Sequence, residues 1–230
     1  MHATETLRDV PLFKSLSDEA LARLEATAQH RQLQEGETLL SPGQPMRTLT
    51  VVTAGQLKCF RVNRAGKEQV FGYGRPGDVL GLGAMTDPYA TYPLSAIARV
   101  NGTEVTELDL GLARDLLKTE PAFALTLLTE QGRRLRMMVD LVDQLSLKDA
   151  HNRLARWLDN WITANHPEAD EHEFLVLLPF TQSEIAAQIG TVREVVSRGF
   201  SRMEKDGIVK ASGKRITVLS RKRLRQMAEE

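Results

Sequence analysis

The sequence contains a single cysteine, Cys59, among its 230 residues. One thiol excludes a disulfide within the chain, and it excludes an iron–sulfur cluster or a zinc site built from several cysteines. The sequence also has no run of 18 apolar residues, and its N-terminus lacks the pattern of a signal peptide. We therefore expect a soluble, cytoplasmic protein with no membrane partner.

The common signatures of catalysis are absent as well. The sequence has no glycine-rich phosphate loop, no pair of histidines at metal-binding spacing and no G-x-S-x-G motif. Its carboxylates are scattered over segments that we expect to be exposed, so they do not predict an acid–base pair. We expect no enzyme activity, no catalytic residues and no metal site.

Formal net charge is zero overall, but it is unevenly distributed along the chain. Residues 191–225 contain 11 Lys and Arg against 3 Asp and Glu, whereas residues 1–146 contain 16 against 18. A basic segment joined to a nearly neutral body is the charge pattern of a protein that binds phosphate backbones.

The basic segment begins with the pattern of two short helices joined by a turn. Thr181 and Glu184 have the spacing of a capping box, and Gly190 suits the left-handed position that ends a helix. Thr191 is then predicted to be a second N-cap, for a helix over residues 192–205. Two such helices with a glycine-containing turn form a helix-turn-helix. The residues predicted to face inward are Ile185, Ile189, Val192, Val196, Phe200 and Met203.

The opposite face of the second helix carries Arg193, Glu194, Ser197 and Arg198 near its start. A solvated polar face would explain these residues, but a recognition helix uses the same part of itself in the major groove. Arg can donate twice to guanine, and Glu can accept from cytosine. We predict that DNA is contacted by Thr181, Gln182, Thr191, Arg193, Glu194, Ser197, Arg198, Arg202 and Lys214.

The first half of the chain has short strand-like runs separated by glycine turns. After a helix that Ser17 caps and that should reach Ala28, strands are predicted over residues 38–40, 49–52, 57–62, 69–73, 96–100 and 104–108. Regular short strands of this kind indicate an antiparallel barrel or sandwich.

A long helix should follow from Pro121. An apolar line at 3-4-3-4-3 spacing runs along it, as in a coiled coil, and consists of Leu125, Leu128, Gly132, Leu135, Val139 and Val142. A second row, Met138, Leu141 and Leu145, would face the barrel. A simple core helix could carry the same residues, but two apolar rows favour a homodimer helix.

After a hinge at 146–149, an amphipathic helix with inward Leu154, Trp157, Leu158, Trp161 and Ile162 is predicted, and then a strand over 174–180. Residues 208–211 and 215–218 form a hairpin that makes the helix-turn-helix a winged one, and Ser220 caps a last basic helix. The fold class is therefore α+β, with an antiparallel β-roll over residues 1–120, a dimerisation helix over 121–146 and a winged helix-turn-helix over 147–230.

The motifs of this chain resemble those of the CRP/FNR superfamily of bacterial transcription regulators. They are G-x-x-x-x-x-P-G at 36–43, Gly55, R-P-G-D-V-L-G at 75–81 and R-E-V-V-S-R at 193–198. The resemblance implies a roll like that of cyclic-nucleotide-binding domains and a dimer that binds an inverted repeat with TTGA- or TGTGA-like half-sites. It also implies RNA polymerase as a partner.

The effector half departs from that family's cyclic-nucleotide pattern. The family has G-E-L where this chain has Gly81-Leu82-Gly83, and an Arg-Ser pair where residues 89–95 contain no arginine. Burying a phosphate without a cation is unfavourable, so cyclic AMP is not expected to bind in the usual way. An effector pocket is predicted to involve Gly81, Leu82, Tyr92 and Met138.

Several effectors stay open from the sequence. Residues 131–157, especially L-S-L-K-D-A-H-N-R-L-A-R-W-L at 145–158, resemble the nitric-oxide-responsive, haem-associated DNR branch of the superfamily. Candidate axial ligands are His2, His30, Cys59 and Met85, although His30 could instead end a helix, Cys59 fill the roll and Met85 pack near the long helix. A small organic ligand and a regulator without effector are alternatives. A regulatory module that acts through a protein partner is another, but it would not need the helix-turn-helix.

Overall fold

A computed structural model describes residues 6–87, 89–147, 149–168 and 173–229. The chain divides into two compact units, one of residues 1–61 and 71–137 and one of residues 62–70 and 138–230. In chain order the elements are α1 (Asp18–Glu25), β1 (Gln29–Leu33), β2 (Thr38–Leu40), β3 (Thr48–Ala54), β4 (Leu57–Val62), β5 (Glu68–Gly74), β6 (Val79–Leu80), β7 (Ser95–Ala98), β8 (Thr103–Asp109), α2 (Leu110–Thr119), α3 (Pro121–Leu147), α4 (Ala150–Asn165), β9 (Phe174–Leu177), α5 (Gln182–Ile189), α6 (Arg193–Lys205), β10 (Val209–Ser212), β11 (Arg215–Val218) and α7 (Arg221–Glu229). Short 3₁₀ helices occur at Leu7–Asp9 and Leu82–Met85.

The β-roll consists of two four-stranded antiparallel sheets, in the orders β1-β8-β3-β6 and β2-β7-β4-β5. The predicted α+β class and all six predicted strands are confirmed, with ends shifted by at most two residues. Gly55 shows why a turn glycine is needed, because its φ is +73° and a Cβ there would lie 2.6 Å from the Thr103 hydroxyl oxygen.

Two predictions at the start of the roll are wrong. α1 ends at Glu25 instead of Ala28, because the amides of Thr27 and Ala28 donate to carbonyls three residues back and tighten the chain into a turn. His30 therefore does not end a helix. It lies in β1 opposite Thr106, with its Nδ1 2.9 Å from the threonine hydroxyl.

The first unit contains two apolar clusters. One fills the roll and includes Leu33, Val52, Leu57 and Val105. The other joins the N-terminal segment, α1, α2, one face of the roll and the start of α3, where Phe123 and Leu127 are buried. Phe123 and Leu127, four residues apart, are thus the inward row of α3 in this unit.

The predicted seam faces outward along α3. Leu125, Leu128, Leu135, Val139 and Val142 are between 61 % and 66 % exposed. Met138, which was predicted to face the roll, is 39 % exposed, because it lies three residues after Leu135 and flanks the exposed seam. The side chain of Leu145 is outside the described residues.

The second unit is built around α4 and a three-stranded antiparallel sheet in the order β10-β11-β9. Leu154, Leu158 and Ile162 of α4 are fully buried, and Trp157 and Trp161 are partly buried, as predicted. β9 ends at Leu177 rather than residue 180, because Pro179 has no amide hydrogen for the ladder. Among the described residues, no helix is both long and apolar enough to cross a membrane.

Candidate nucleic-acid interface

The first helix of the motif, α5, begins with the predicted capping box. The Thr181 amide donates to Glu184 Oε2 at 2.7 Å, and Thr181 Oγ1 accepts from the Glu184 amide at 3.2 Å. The helix ends at Gly190, which has φ +71° and takes the left-handed position. Both local signals are therefore confirmed, and they fix where the turn begins.

The start of the second helix was predicted one residue too early. The N-cap is Val192, in an extended conformation, and α6 begins at Arg193. Thr191 cannot be the cap because it belongs to the turn that ends α5, where its amide donates to the Ala186 carbonyl at 2.9 Å. That six-residue bond is typical of a Schellman motif. As an N-cap outside the helix, Val192 is 46 % exposed, so its predicted inward position is also wrong.

The inner face of α6 packs tightly on α4. Val196, Phe200 and Met203 are buried, as predicted. Gly199 also lies on this face, and a Cβ there would stand 2.6 Å from Leu154 Cδ2. The absence of a side chain at Gly199 lets the two helices pack closely, with the inner face of α6 against α4.

The outer face of α6 carries the predicted base-reading residues. Arg193, Glu194, Ser197 and Arg198 are all exposed and lie in the first two turns of the helix. Further along, Arg202 Nε is 3.9 Å from Asp206 Oδ2. Of the predicted contacts on α5, Thr181 is exposed and Gln182 is half-buried beside it. The helix-turn-helix thus presents one continuous polar surface from these residues.

The basic side chains of the wing and of α7 have different surroundings. The hairpin β10–β11 turns at Gly213, which has φ +62°, and leaves Lys214 exposed as predicted. Arg221 is buried instead. Its Nε lies 3.2 Å from Asp159 Oδ1 and its NH2 donates to Thr163 Oγ1 at 2.8 Å. Arg225 Nε lies 3.4 Å from the same Asp159 oxygen. Part of the basic charge counted in the sequence therefore holds α7 against α4.

α5 is also fixed by residues that sequence reasoning missed. Arg153 Nε donates to the Ile189 carbonyl at 2.8 Å, and Trp157 Nε1 donates to Gln188 Oε1 at 2.9 Å. Lys67 Nζ donates to the Gly190 carbonyl at 3.2 Å. The partners in these pairs are 31 to 123 residues apart in the sequence, so no local pattern could have indicated the contacts.

The residues predicted for an effector pocket have different surroundings. Gly81 and Leu82 are adjacent, with Gly81 at φ +89°, and Leu82 is buried in the cluster beneath α1 and α2. Tyr92 is buried in the other cluster, inside the roll. Met138 is exposed on α3. The predicted set is thus spread over two apolar clusters and a surface.

Among the described residues, the surroundings of His30, Met85 and Cys59 do not favour haem ligation. His30 lines a cleft of about 410 Å³ that also contains Glu25 and Glu104, whose carboxylates would repel the porphyrin propionates. Met85 is buried among apolar side chains, in agreement with the alternative that it packs in the core. Burial raises the pKa of Cys59 to about 11, so its thiol stays protonated and is a poor ligand. His2 is outside the described residues.

Comparison with known proteins agrees with both halves of the fold. Residues 30–120 match the cyclic nucleotide-binding domain family, and residues 152–227 match the Crp-like helix-turn-helix domain family. The transcriptional activator protein anr of Pseudomonas aeruginosa is 31 % identical over 189 residues, which cover 82 % of this chain and 76 % of the relative.

Two further matches point the same way. The cAMP-activated global transcriptional regulator CRP of Salmonella typhimurium is 29 % identical over 183 residues, covering 79 % of this chain and 85 % of the relative. The structure of a CRP/FNR-family transcriptional regulator from Thermus thermophilus has a TM-score of 0.65 at 22 % identity, covering 88 % of this chain and 99 % of that one, and so shares the fold. These relatives are transcription regulators and not enzymes. The chain therefore belongs to the CRP/FNR family of transcription regulators.

Proposed function

We propose that the protein regulates transcription as a homodimer that binds an inverted repeat with TTGA- or TGTGA-like half-sites. The observation that carries the proposal is the outer face of α6. Two arginines, a glutamate and a serine are exposed there at the start of a helix whose inner face is packed on α4. These residue types match the donor and acceptor pattern of guanine and cytosine edges in the major groove.

The exposed seam on α3 supports the dimer. Five aliphatic side chains follow one line of this 27-residue helix and are more than half exposed. An apolar stripe with heptad spacing is stable in water only when another helix covers it, and a second copy offers the matching stripe. Two copies would present two recognition helices to half-sites about one helical turn apart.

An effector other than cyclic AMP fits the roll better. Leu82 is buried where the family's ribose-binding glutamate stands, and no arginine occupies residues 89–95. A charged cyclic phosphate would have no matching cation there. The proposed function includes no haem step, because the surroundings of His30, Met85 and Cys59 do not favour that group.

The remaining parts of the proposal follow from the family. We place the regulator in the cytoplasm, with domains at residues 1–120, 121–146 and 147–230. RNA polymerase would be its partner at the promoter, as relatives named transcriptional activators suggest. In vitro transcription from a promoter with the inverted repeat, with and without the protein, tests this partner.

The test of DNA reading uses fluorescence anisotropy with a labelled duplex carrying the inverted repeat and a scrambled duplex of the same composition. The affinity for the repeat should exceed that for the scrambled duplex, and both should fall linearly on a logarithmic scale with salt. Arg198→Ala should cost about 1–3 kcal/mol on the repeat and relax one position of each half-site.

The matched control is Lys205→Ala, which removes the same charge from the exposed C-terminal end of the same helix. Its effect should be small and equal on the two duplexes. If Arg198→Ala also weakens both duplexes equally, Arg198 contacts the backbone and does not read a base.

A further inference from the structure

The second unit contains a contact that the DNA-binding function does not require. Residues 62–70, here called the hairpin tip, comprise the turn between β4 and β5 with the adjoining ends of both strands, and they lie against the turn of the helix-turn-helix. Lys67 Nζ donates to the Gly190 carbonyl at 3.2 Å, and Gln69 Nε2 lies 3.5 Å from the Gln188 carbonyl. Both carbonyls belong to the C-terminal end of α5, where a helix leaves acceptors free and attracts cations.

The hairpin tip also faces the side of the motif that would receive DNA. Between them is an open gap of about 440 Å³. The gap is lined on one side by Ala65, Gly66, Lys67 and Glu68, and on the other by Ser183, Glu184, Ala186, Ala187, Thr191, Val192 and Arg193. Thr191 and Arg193 are predicted DNA contacts, and Ser183 follows a third, Gln182. The hairpin tip therefore lies opposite the N-termini of both helices of the motif.

A duplex and a docked hairpin tip compete for this space. A volume of about 440 Å³ is within the range of small-molecule pockets, roughly 300–1,000 Å³. A DNA backbone that approaches the start of the recognition helix would enter this gap beside the docked hairpin tip. The docked hairpin tip therefore stands in the way of a duplex that approaches Thr191 and Arg193.

We propose that the hairpin tip is an autoinhibitory segment, which lowers DNA affinity while Lys67 is bonded to Gly190. The inference rests on the proposed DNA-binding function. When only a fraction of the molecules is competent, the apparent dissociation constant rises by the inverse of that fraction. Anything that weakens docking raises the competent fraction and so tightens DNA binding, without touching a DNA-contacting residue.

The test is Lys67→Met, which removes the ammonium and keeps the aliphatic stem. The substitution deletes a hydrogen bond from a charged donor, so affinity for the inverted-repeat duplex should rise about three- to tenfold. The sign is informative, because losing a cation normally weakens DNA binding.

The matched control is Arg64→Met. Arg64 is an exposed cation on the same hairpin tip, and its side chain makes no hydrogen bond or ion pair within the described part of the chain. Removing it should leave affinity unchanged or slightly lower. If Lys67→Met behaves like Arg64→Met, docking does not limit DNA binding and the inference is wrong.

Hydrogen exchange of the wild-type protein gives a second readout. Amides of residues 62–70 should exchange faster when the inverted-repeat duplex is bound, because undocking exposes them. Slower exchange would mean that the hairpin tip contacts DNA itself, which overturns autoinhibition. If neither wild type nor Lys67→Met prefers the repeat over scrambled DNA, the proposed function fails and this inference fails with it. A preference by wild type with no gain in Lys67→Met contradicts the inference alone.

Discussion

Gly199 lies on the face of the recognition helix that packs against Leu154 of α4. A methyl group at this position would stand 2.6 Å from Leu154 Cδ2, which is closer than two carbons can pack. Both residues are buried in the second unit, so neighbouring side chains have little space into which they could move to relieve the contact. The spacing between the two helices therefore depends on a missing side chain.

We expect Gly199→Ala to destabilise the protein by about 1–3 kcal/mol, the usual cost of overpacking a core. The gain in helix propensity from glycine to alanine, up to about 1 kcal/mol, offsets part of it. Urea unfolding measures the change. In a Leu154→Ala background, where the clashing methyl is gone, the same substitution should cost much less. Equal costs in both backgrounds would show that the contact does not limit packing.

Cys59 gives a prediction about pH. Burial is the main cause that raises the pKa of its thiol from 9.0 to about 11, and the charge of Arg134 opposes the rise. The folded state therefore holds this proton more tightly than the unfolded state does. The stability from the neutral, partly buried thiol is fully present below pH 9 and is lost as pH rises through about 11.

We expect the free energy of unfolding of wild type to fall more steeply between pH 9 and 11 than that of Cys59→Ala. Denaturant unfolding at several pH values, compared between the two proteins, measures this. Native Cys59 should also react slowly with a maleimide at about pH 8, and quickly once the protein is unfolded. Identical pH profiles, or fast native labelling, would contradict a shielded neutral thiol at Cys59.

At the scale of elements, α3 has two faces with different partners. Phe123 and Leu127 are buried in the first unit, whereas Leu128 and Leu135 are exposed on the other side of the helix. Near the same stretch, hydrogen bonds from Arg133 and Arg134 lower the pKa of Glu130 to about 2 despite its partial burial. The charged groups are thus paired with each other, and the apolar seam beside them remains exposed.

We expect Leu135→Glu to convert the dimer to monomer, because it places an unpaired charge in the seam of each chain. The control is Met137→Glu, two residues along, on a different face of the helix and 46 % exposed. Its carboxylate would lie near Arg133, whose NH1 is 3.2 Å from the Met137 sulfur, so the dimer should persist. Sedimentation velocity distinguishes the two. A Leu135→Glu protein that is still dimeric would place the interface elsewhere.

The helices and strands that could be predicted from the sequence are those determined by interactions between residues close together in the chain. Capping, turn glycines and strand alternation act within a few residues, so α5, α6 and the six roll strands were predicted nearly to their ends. β1 was missed because four of its five residues are exposed, which leaves no alternation to detect. Thr191 was wrongly assigned as the N-cap of α6. Its amide donates to the Ala186 carbonyl in the turn that ends α5, so the N-cap of α6 is the next residue, Val192.

The candidate site was predictable to the same extent. The exposed face of α6 follows from the 3.6-residue period, and its four polar residues were identified from spacing alone. The Gly199 contact, the burial of Arg221 and the docking of Lys67 on Gly190 each need a partner 45 to 123 residues away, or the packing of a whole unit. Such contacts follow from the fold and cannot be read from a short window.

At the scale of the whole molecule, we expect cyclic AMP neither to bind the roll in the usual way nor to tighten DNA binding appreciably. A ligand shifts a conformational equilibrium only through a difference in affinity for the two states. Leu82 and Pro93 offer no charge on which such a difference could act. Titration calorimetry and anisotropy with and without the nucleotide check this. Micromolar affinity together with tighter DNA binding would mean that another cation, such as Arg75 or Arg99, reaches the phosphate.

The pairing of Arg221 with Asp159 has a consequence for synthesis on the ribosome. It joins α4 to α7 across 62 residues, and Leu224 and Ala228 of α7 complete the same core that α4 begins. While α4 to α6 emerge, that core lacks one wall and Asp159 lacks its cation. Since chains grow at about 5–20 residues per second, an interval of seconds separates α4 from its partner. The apolar core behind the nascent recognition helix is therefore complete only after α7 has been translated.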